Sequence, residues 1–351
     1  MSDTAQEKIN KNPIFNPAGN DDLSARTIIK GSTTGLFNLN AVKYPWAKSL
    51  YQVMVGNFWL PEKVSGLKDD QRDFTSVLNA DEQRAYKGIL SFLIFLDSIQ
   101  TVNLPNFSNY ITSPEINLLL SIQAYQEAIH SQSYATILES VIAPEDREGI
   151  HYFWRDNAIL LKRNQHIGQI YQNFVDSPTD ETFFRGLVAN FLLEGLYFYN
   201  GFAFFDTLVD HMKMPATGRM IAYIRRDELT HVTLFSNILR EIKREFPAIY
   251  SETIIEEMTR TAVDQEIEWA QHILGNRIPG INGESTAEYT RWLANQRLSM
   301  LGIAPIYTDA IKNPYKHLDR LQDPNADKGN FFETTVINYT QSSNMAGSWD
   351  F

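Results

Sequence analysis

The chain contains no cysteine. That absence excludes disulfide frameworks, thiolate nucleophiles, cysteine-ligated zinc and iron–sulfur clusters. Any thiol chemistry in which the protein takes part must come from a partner. Strand signals are scarce as well. Alternating Val, Ile and Thr runs bounded by Asn-Gly or Asp-Gly barely occur. An excess of basic charge is also missing. Asp and Glu number 42 against 31 Lys and Arg, a formal net charge of -11, which argues against nucleic-acid backbone binding. Met1 to Asn20 is polar, carries both charge signs and holds no apolar run. No secretory signal is therefore expected, and a cytoplasmic protein is.

What is present is apolar material in quantity. Of 351 residues, 43% are hydrophobic and 12% aromatic, enough to bury a large core and to exclude a wholly disordered chain. Gly186 to Phe205 is mostly apolar and long enough to span a bilayer. Glu194 sits near its middle, between Asn190 and Asn200, and a central charge is costly in lipid. The favoured reading is a helix inside a soluble protein, its carboxylate held by a metal, with no membrane contact.

Helix signals dominate. Asn79 followed by Glu82 reads as a capping box and predicts a helix to about Thr101. Ser113-Pro114-Glu115 starts the next, with Pro at the first helical position, to about Val141. Further helices are expected near 145–175, 179–212, 217–245, 248–274 and 286–302. Several are apolar on more than one face, which places them inside a bundle. The chain reads as all-α, with one helical domain over 26–320. Residues 1–25 read as a mobile polar segment and 321–351 as a flexible tail with anchoring aromatics.

Two segments carry one pattern, Glu127-Ala128-Ile129-His130 and Glu228-Leu229-Thr230-His231. On a helix, residues i and i+3 share a face, so each pair can chelate one metal. The pattern alone is weak. Glu148 and His151 repeat it in a charged stretch that reads as a solvated helix start. Glu268 and His272 look like another wet face, because Asp264 and Glu266 are neighbours. The first two pairs instead lie among apolar turns. Asp97 follows Phe92-Leu93-Ile94-Phe95-Leu96, and Glu194 follows Phe191-Leu192-Leu193. A carboxylate left unpaired in a dry core is costly. Taken singly, each suits a buried ion pair. Together, Asp97, Glu127, Glu194 and Glu228 supply four negative charges to balance two divalent ions, and His130 and His231 add nitrogen donors. This is the inward-facing set of a dinuclear site in a four-helix bundle. Oxygen-rich donors suit iron or manganese better than zinc or copper.

The sequence resembles the small, radical-generating subunit of class I ribonucleotide reductase from about Phe37 to the C-terminus. The resemblance is carried by Phe58-Trp59-Leu60-Pro61-Glu62, Leu96-Asp97-Ser98-Ile99-Gln100, Glu127 through Tyr134, Leu193 through Tyr199, and Arg226 through His231. It implies a ferritin-like bundle with Asp97, Glu127, His130, Glu194, Glu228 and His231 as ligands of a dinuclear metal centre. Two irons are the first expectation, with dimanganese or manganese–iron as alternatives. It implies Tyr134 as the radical residue. That placement is sensible, since Tyr134 is one turn past His130, within about 60° of one helix face with Glu127. Phe198, Phe202 and Ile224 match the family's apolar radical pocket, though plain core packing explains them equally. Trp59, Asp227 and His130 match its path from metal to surface. Asp227, four residues before His231 and adjacent to Glu228, is expected to back a ligand histidine, or else to form a buried salt bridge with Arg225 or Arg226. Tyr339 matches a tail tyrosine.

The resemblance further implies a large catalytic subunit as partner, docked through the last twenty or so residues with Trp349 and Phe351 as anchors. It implies a homodimer, and leaves room for an activating or reducing partner protein. Two other readings share parts of the pattern. A dimetal oxidase or monooxygenase acting on an acyl or hydrocarbon substrate would use all six ligands. An iron-storage protein would use a similar bundle in a smaller subunit.

Overall fold

The computed structural model describes residues 8–321. Among these residues there are eleven α-helices and no strand pairing beyond two isolated bridges, Lys8 with Thr179 and Ile29 with Ile111. The helices are α1 (Pro45–Gly56), α2 (Leu67–Ser76), α3 (Ala80–Ser108), α4 (Pro114–Val141), α5 (Pro144–Asp156), α6 (Ala158–Asp176), α7 (Asp180–Leu192), α8 (Tyr199–Asp210), α9 (Pro215–Glu245), α10 (Glu252–Ile273) and α11 (Gly283–Met300). A π-helical turn, Leu193–Tyr197, joins α7 to α8.

Local chemistry starts these helices. Asn79 accepts from the Glu82 amide while Glu82 accepts from the Asn79 amide, both at 2.9 Å, closing the expected capping box. Proline opens α1, α4, α5 and α9, where a missing N–H costs nothing. Asp70 of α2 is buried and accepts from the amides of Ala216 and Thr217 at 3.1 and 2.6 Å, so α2 caps α9 across the fold.

Several expected bounds need correction. The helix expected over 145–175 is two helices. Asn157 accepts from the amides of Ile159 and Leu160, both at 3.1 Å, which ends one helix and starts another. The stretch 179–212 is interrupted by the π turn. The helix expected to end near Thr101 runs to Ser108, with Pro105 inside it. Neither α1 nor α2 was expected. Each is short, and α2 buries only Leu67, Asp70 and Phe74.

The core is continuous and aromatic. Phe107 of α3 packs its ring against Tyr171, Phe174, Phe183 and Phe235, tying α6, α7 and α9 to α3. Every residue from Gly186 to Phe205 is buried. By length and composition, one helix among the described residues could cross a membrane, Ala80–Ser108, and it is largely buried. In the N-terminal segment, Ile9 is buried and its amide donates to Pro178 O at 3.0 Å.

Candidate metal centre

Asp97 comes from α3, Glu127 and His130 from α4, Glu194 from the π turn, and Glu228 and His231 from α9. All six are fully buried. A π turn widens the helix by one residue and frees a backbone carbonyl. Here Gly195 O accepts from Arg297 Nε at 2.8 Å. The guanidinium also lies 4.8 Å from the Tyr199 ring, so α11 braces the turn that presents Glu194.

The six side chains form two overlapping sets. Ligand atoms of Asp97, Glu127, His130 and Glu228 lie within 4.8 Å of one another, as do those of Glu127, Glu194, Glu228 and His231. Glu127 and Glu228 belong to both. His130 Nδ1 lies 3.2 Å from Glu127 Oε2 and 3.2 Å from Glu228 Oε1. His231 Nδ1 lies 3.2 Å from Glu127 Oε1 and 2.8 Å from Glu228 Oε2. Each shared carboxylate thus turns one oxygen to each imidazole. The two ring centroids are 6.0 Å apart. Two overlapping donor sets that share Glu127 and Glu228, one completed by Asp97 and His130 and the other by Glu194 and His231, fit a dinuclear metal site.

The electrostatics of the protein alone leave the pocket short of positive charge. Burial, then Glu127, hold Asp97 well above the usual carboxylate range. Burial, then Glu228 and Glu127, do the same to Glu194. Burial opposes the charge on Glu228, but His231 and His130 prevail and hold it below that range. Burial likewise opposes protonation of both imidazoles, yet Glu228 and its neighbours raise them. Both oxygens of Asp97, Glu194 Oε2 and Glu228 Oε1 are buried without a hydrogen-bond partner, an arrangement that is costly unless something positive completes it. The residues therefore fit a pair of divalent iron or manganese ions, with four carboxylates balancing their charge.

Both imidazoles turn Nδ1 inward and Nε2 outward. His130 Nε2 faces Asp227 Oδ2 at 3.4 Å, and His231 Nε2 faces Gln126 Oε1 at 3.0 Å. Such outward partners fix the tautomer that leaves the inner nitrogen free to ligate. The ligand histidine that Asp227 backs is His130, because α9 turns Asp227 toward α4. Arg225 pairs with Asp206 rather than Asp227, and Arg226 reaches Asp227 Oδ1 at 3.3 Å. Trp59 Nε1 donates to Asp227 Oδ2 at 2.8 Å, and its ring stacks on Tyr223 at 5.0 Å. Trp59, Gln126 and Asp227 help line a cavity of about 160 Å³ beside exposed Phe58 and Tyr125.

Tyr134 is buried beside the Asp97 carboxylate. Burial, then Asp97, raise its pKa well above the ordinary phenol value. Phe198, Phe202 and Ile224 are buried, the two rings 5.9 Å apart. Tyr339, Trp349 and Phe351 lie outside the described residues. Glu148 and His151 are exposed, as expected of a chance repeat. Glu266 is a correction: it is fully buried against Arg163, because its helix turns that residue inward while Asp264 and Glu268 stay exposed. Gln100, given above only as part of a matching stretch, and Gln123 and Gln126, not expected at all, touch the ligands. A signal was present, since Gln100 is three residues after Asp97 and Gln123 four before Glu127.

A helical bundle with two ion positions built from four carboxylates and two histidines defines a ferritin-like dinuclear metal protein. The sequence matches the family "Ribonucleotide reductase, small chain" over residues 36–314. The chain belongs to that family, as a small chain of this oxidoreductase. It is 42% identical over 342 residues to the ribonucleoside-diphosphate reductase subunit beta of Treponema pallidum (strain Nichols), covering 96% of this chain and 97% of that one. It is 36% identical over 340 residues to the subunit beta of Halalkalibacterium halodurans, covering 96% and 97%. The ribonucleotide reductase R2 subunit from Clostridium botulinum superimposes with a TM-score of 0.86 at 42% identity, covering 90% of this chain and 100% of that one. The dimanganese(II)-NrdF of Streptococcus sanguinis shares the fold, with a TM-score of 0.69 at 20% identity over 81% and 98%.

Proposed function

We propose that this chain generates and holds the radical of a ribonucleoside-diphosphate reductase, that Tyr134 is the residue that holds it, and that a large catalytic subunit uses it to reduce ribonucleotides. The observation that supports this most is the pair of ligand sets sharing Glu127 and Glu228, with Tyr134 one turn beyond His130 and facing Asp97. The oxidase alternative shares the ligands, but the relatives are reductase subunits.

Asp97, Glu127, His130, Glu194, Glu228 and His231 would hold the ions. Bound there and oxidised, an iron or manganese pair supplies a one-electron oxidant beside the phenol. Tyr134 gives up an electron and its hydroxyl proton, and the Asp97 carboxylate is placed to take that proton. Phe198, Phe202 and Ile224 keep water and reductants from the phenoxyl oxygen. The oxidising equivalent then leaves through His130, Asp227 and Trp59, and through Tyr339 to a cysteine of the large subunit. A chain without cysteine suits this division of labour. We read the metals as two irons first, the working form as a cytoplasmic homodimer, and the tail 321–351 as the docking segment.

The test is to load the protein with iron or manganese in air and record EPR spectra beside metal analysis. A tyrosyl signal abolished by Tyr134→Phe supports the assignment. A dimanganese or manganese–iron signal with full turnover in Tyr134→Phe overturns it. Deleting residues 331–351 should abolish turnover with the large subunit and leave metal content unchanged. Undiminished oxidase activity would point to the alternative.

A further inference from the structure

Neutral amides surround one half of the metal centre and not the other. Glu194 Oε1 accepts from Gln100 Nε2 and, at 2.7 Å, from Gln123 Nε2. Gln123 Nε2 also lies 3.5 Å from Glu127 Oε1. Gln126 stands behind His231. In the other half, His130 is backed by the carboxylate of Asp227, and no side-chain amide donates to Asp97.

The orientation of Gln100 is fixed from outside. Its Oε1 accepts from Tyr171 Oη at 2.9 Å, and its Nε2 also donates to Asn190 Oδ1 at 2.8 Å. With the carbonyl engaged, only the N–H₂ group can face Glu194. Gln100, Gln123 and Asn190 are fully buried, so no water competes for these bonds. One oxygen of Glu194 thus receives two donors. The other, Oε2, receives none and lies 3.6 Å from His231 Nδ1, toward the ion position.

We propose that Gln100 and Gln123 are positioning residues that lock Glu194 as a one-oxygen ligand of the ion on the His231 side. The proposal rests on the metal reading above. Two N–H donors to an ionised carboxylate are charge-assisted and directional. They resist the rotation that would bring both oxygens to the ion. A one-oxygen ligand occupies one coordination position where a two-oxygen ligand occupies two. The clamp therefore keeps room on that ion and leaves the His130 side unaffected.

Metal-free protein titrated with Mn(II), with free ion read by EPR, tests this. Gln100→Met and Gln123→Met keep chain length and remove the donors. Wild type should bind two ions per chain. In each variant one dissociation constant should rise about 10- to 100-fold, while the other stays within about twofold. The low-temperature EPR line shape of the more weakly bound ion should change as Glu194 rotates, a signature that loss of packing alone would not produce. If a methionine variant fails to fold, Gln123→Asn withdraws the amide at smaller cost and should show the same one-sided weakening. Two constants unchanged in every folded variant, or both raised alike, would overturn the clamp. A wild-type chain that binds no Mn(II) would instead overturn the metal reading beneath it.

Discussion

Trp59 Nε1 donates to Asp227 Oδ2 at 2.8 Å, and the same oxygen faces His130 Nε2 at 3.4 Å. One carboxylate oxygen therefore joins an indole near the surface to an imidazole aimed at the metal position. If the pair is a path for the oxidising equivalent, Trp59→Phe should leave metal content and the tyrosyl EPR signal near wild type. Turnover with the large subunit should fall about 100-fold. Asp227→Asn should cost a similar factor, by disturbing both contacts. Steady-state assays beside EPR separate the two readouts. Full turnover in Trp59→Phe would show that the indole serves packing only.

Much of this site was legible because its chemistry is local. Asn79 with Glu82, and proline before α4 and α9, start helices within a few residues. The two Glu-x-x-His pairs stood out by spacing and apolar company. What escaped the sequence reading depends on residues far apart in the chain. The π turn at Glu194 is braced by Arg297, on another helix. Glu266 reads as part of a wet face until Arg163, 103 residues away, is placed against it. Asn157 caps α6 in the middle of a pattern whose helical period continues across it.

The Arg163–Glu266 pair makes a pH prediction. The guanidinium lies 4.6 Å from the Phe92 ring and 5.1 Å from that of Tyr197, in a dry core. Burial pushes Glu266 up to about 7, against the pull of Arg163 and the amide of Asn200. The folded state thus holds this proton more tightly than the unfolded chain, whose value is near 4.5. Its contribution to stability is largest below about 4.5, declines as pH rises through about 7, and is level above that. Glu266→Gln removes the titration. The unfolding free energy of wild type minus that of Glu266→Gln should fall by on the order of 3 kcal/mol across that window. Urea unfolding at several pH values measures it. A flat difference would mean that Arg163 keeps Glu266 ionised throughout.

The brace on the π turn makes a stability prediction. Arg297 Nε donates to Gly195 O at 2.8 Å, and Arg297 is buried. A Cβ added at Gly195 would meet Arg297 Cδ and Nε at 3.1 Å, so the glycine is what lets the side chain approach. Arg297→Met keeps the aliphatic stem and removes the donor. A buried carbonyl without a partner costs about 1–3 kcal/mol, which should appear as a lower urea midpoint at unchanged slope. The same substitution at Arg72, whose side chain is 70% exposed, should change stability by no more than about 0.5 kcal/mol. Because the freed carbonyl is next to Glu194, Arg297→Met should also weaken one Mn(II) site more than the other. A midpoint shift no larger than that of Arg72→Met, with both sites intact, would mean that the widened turn needs no support from α11.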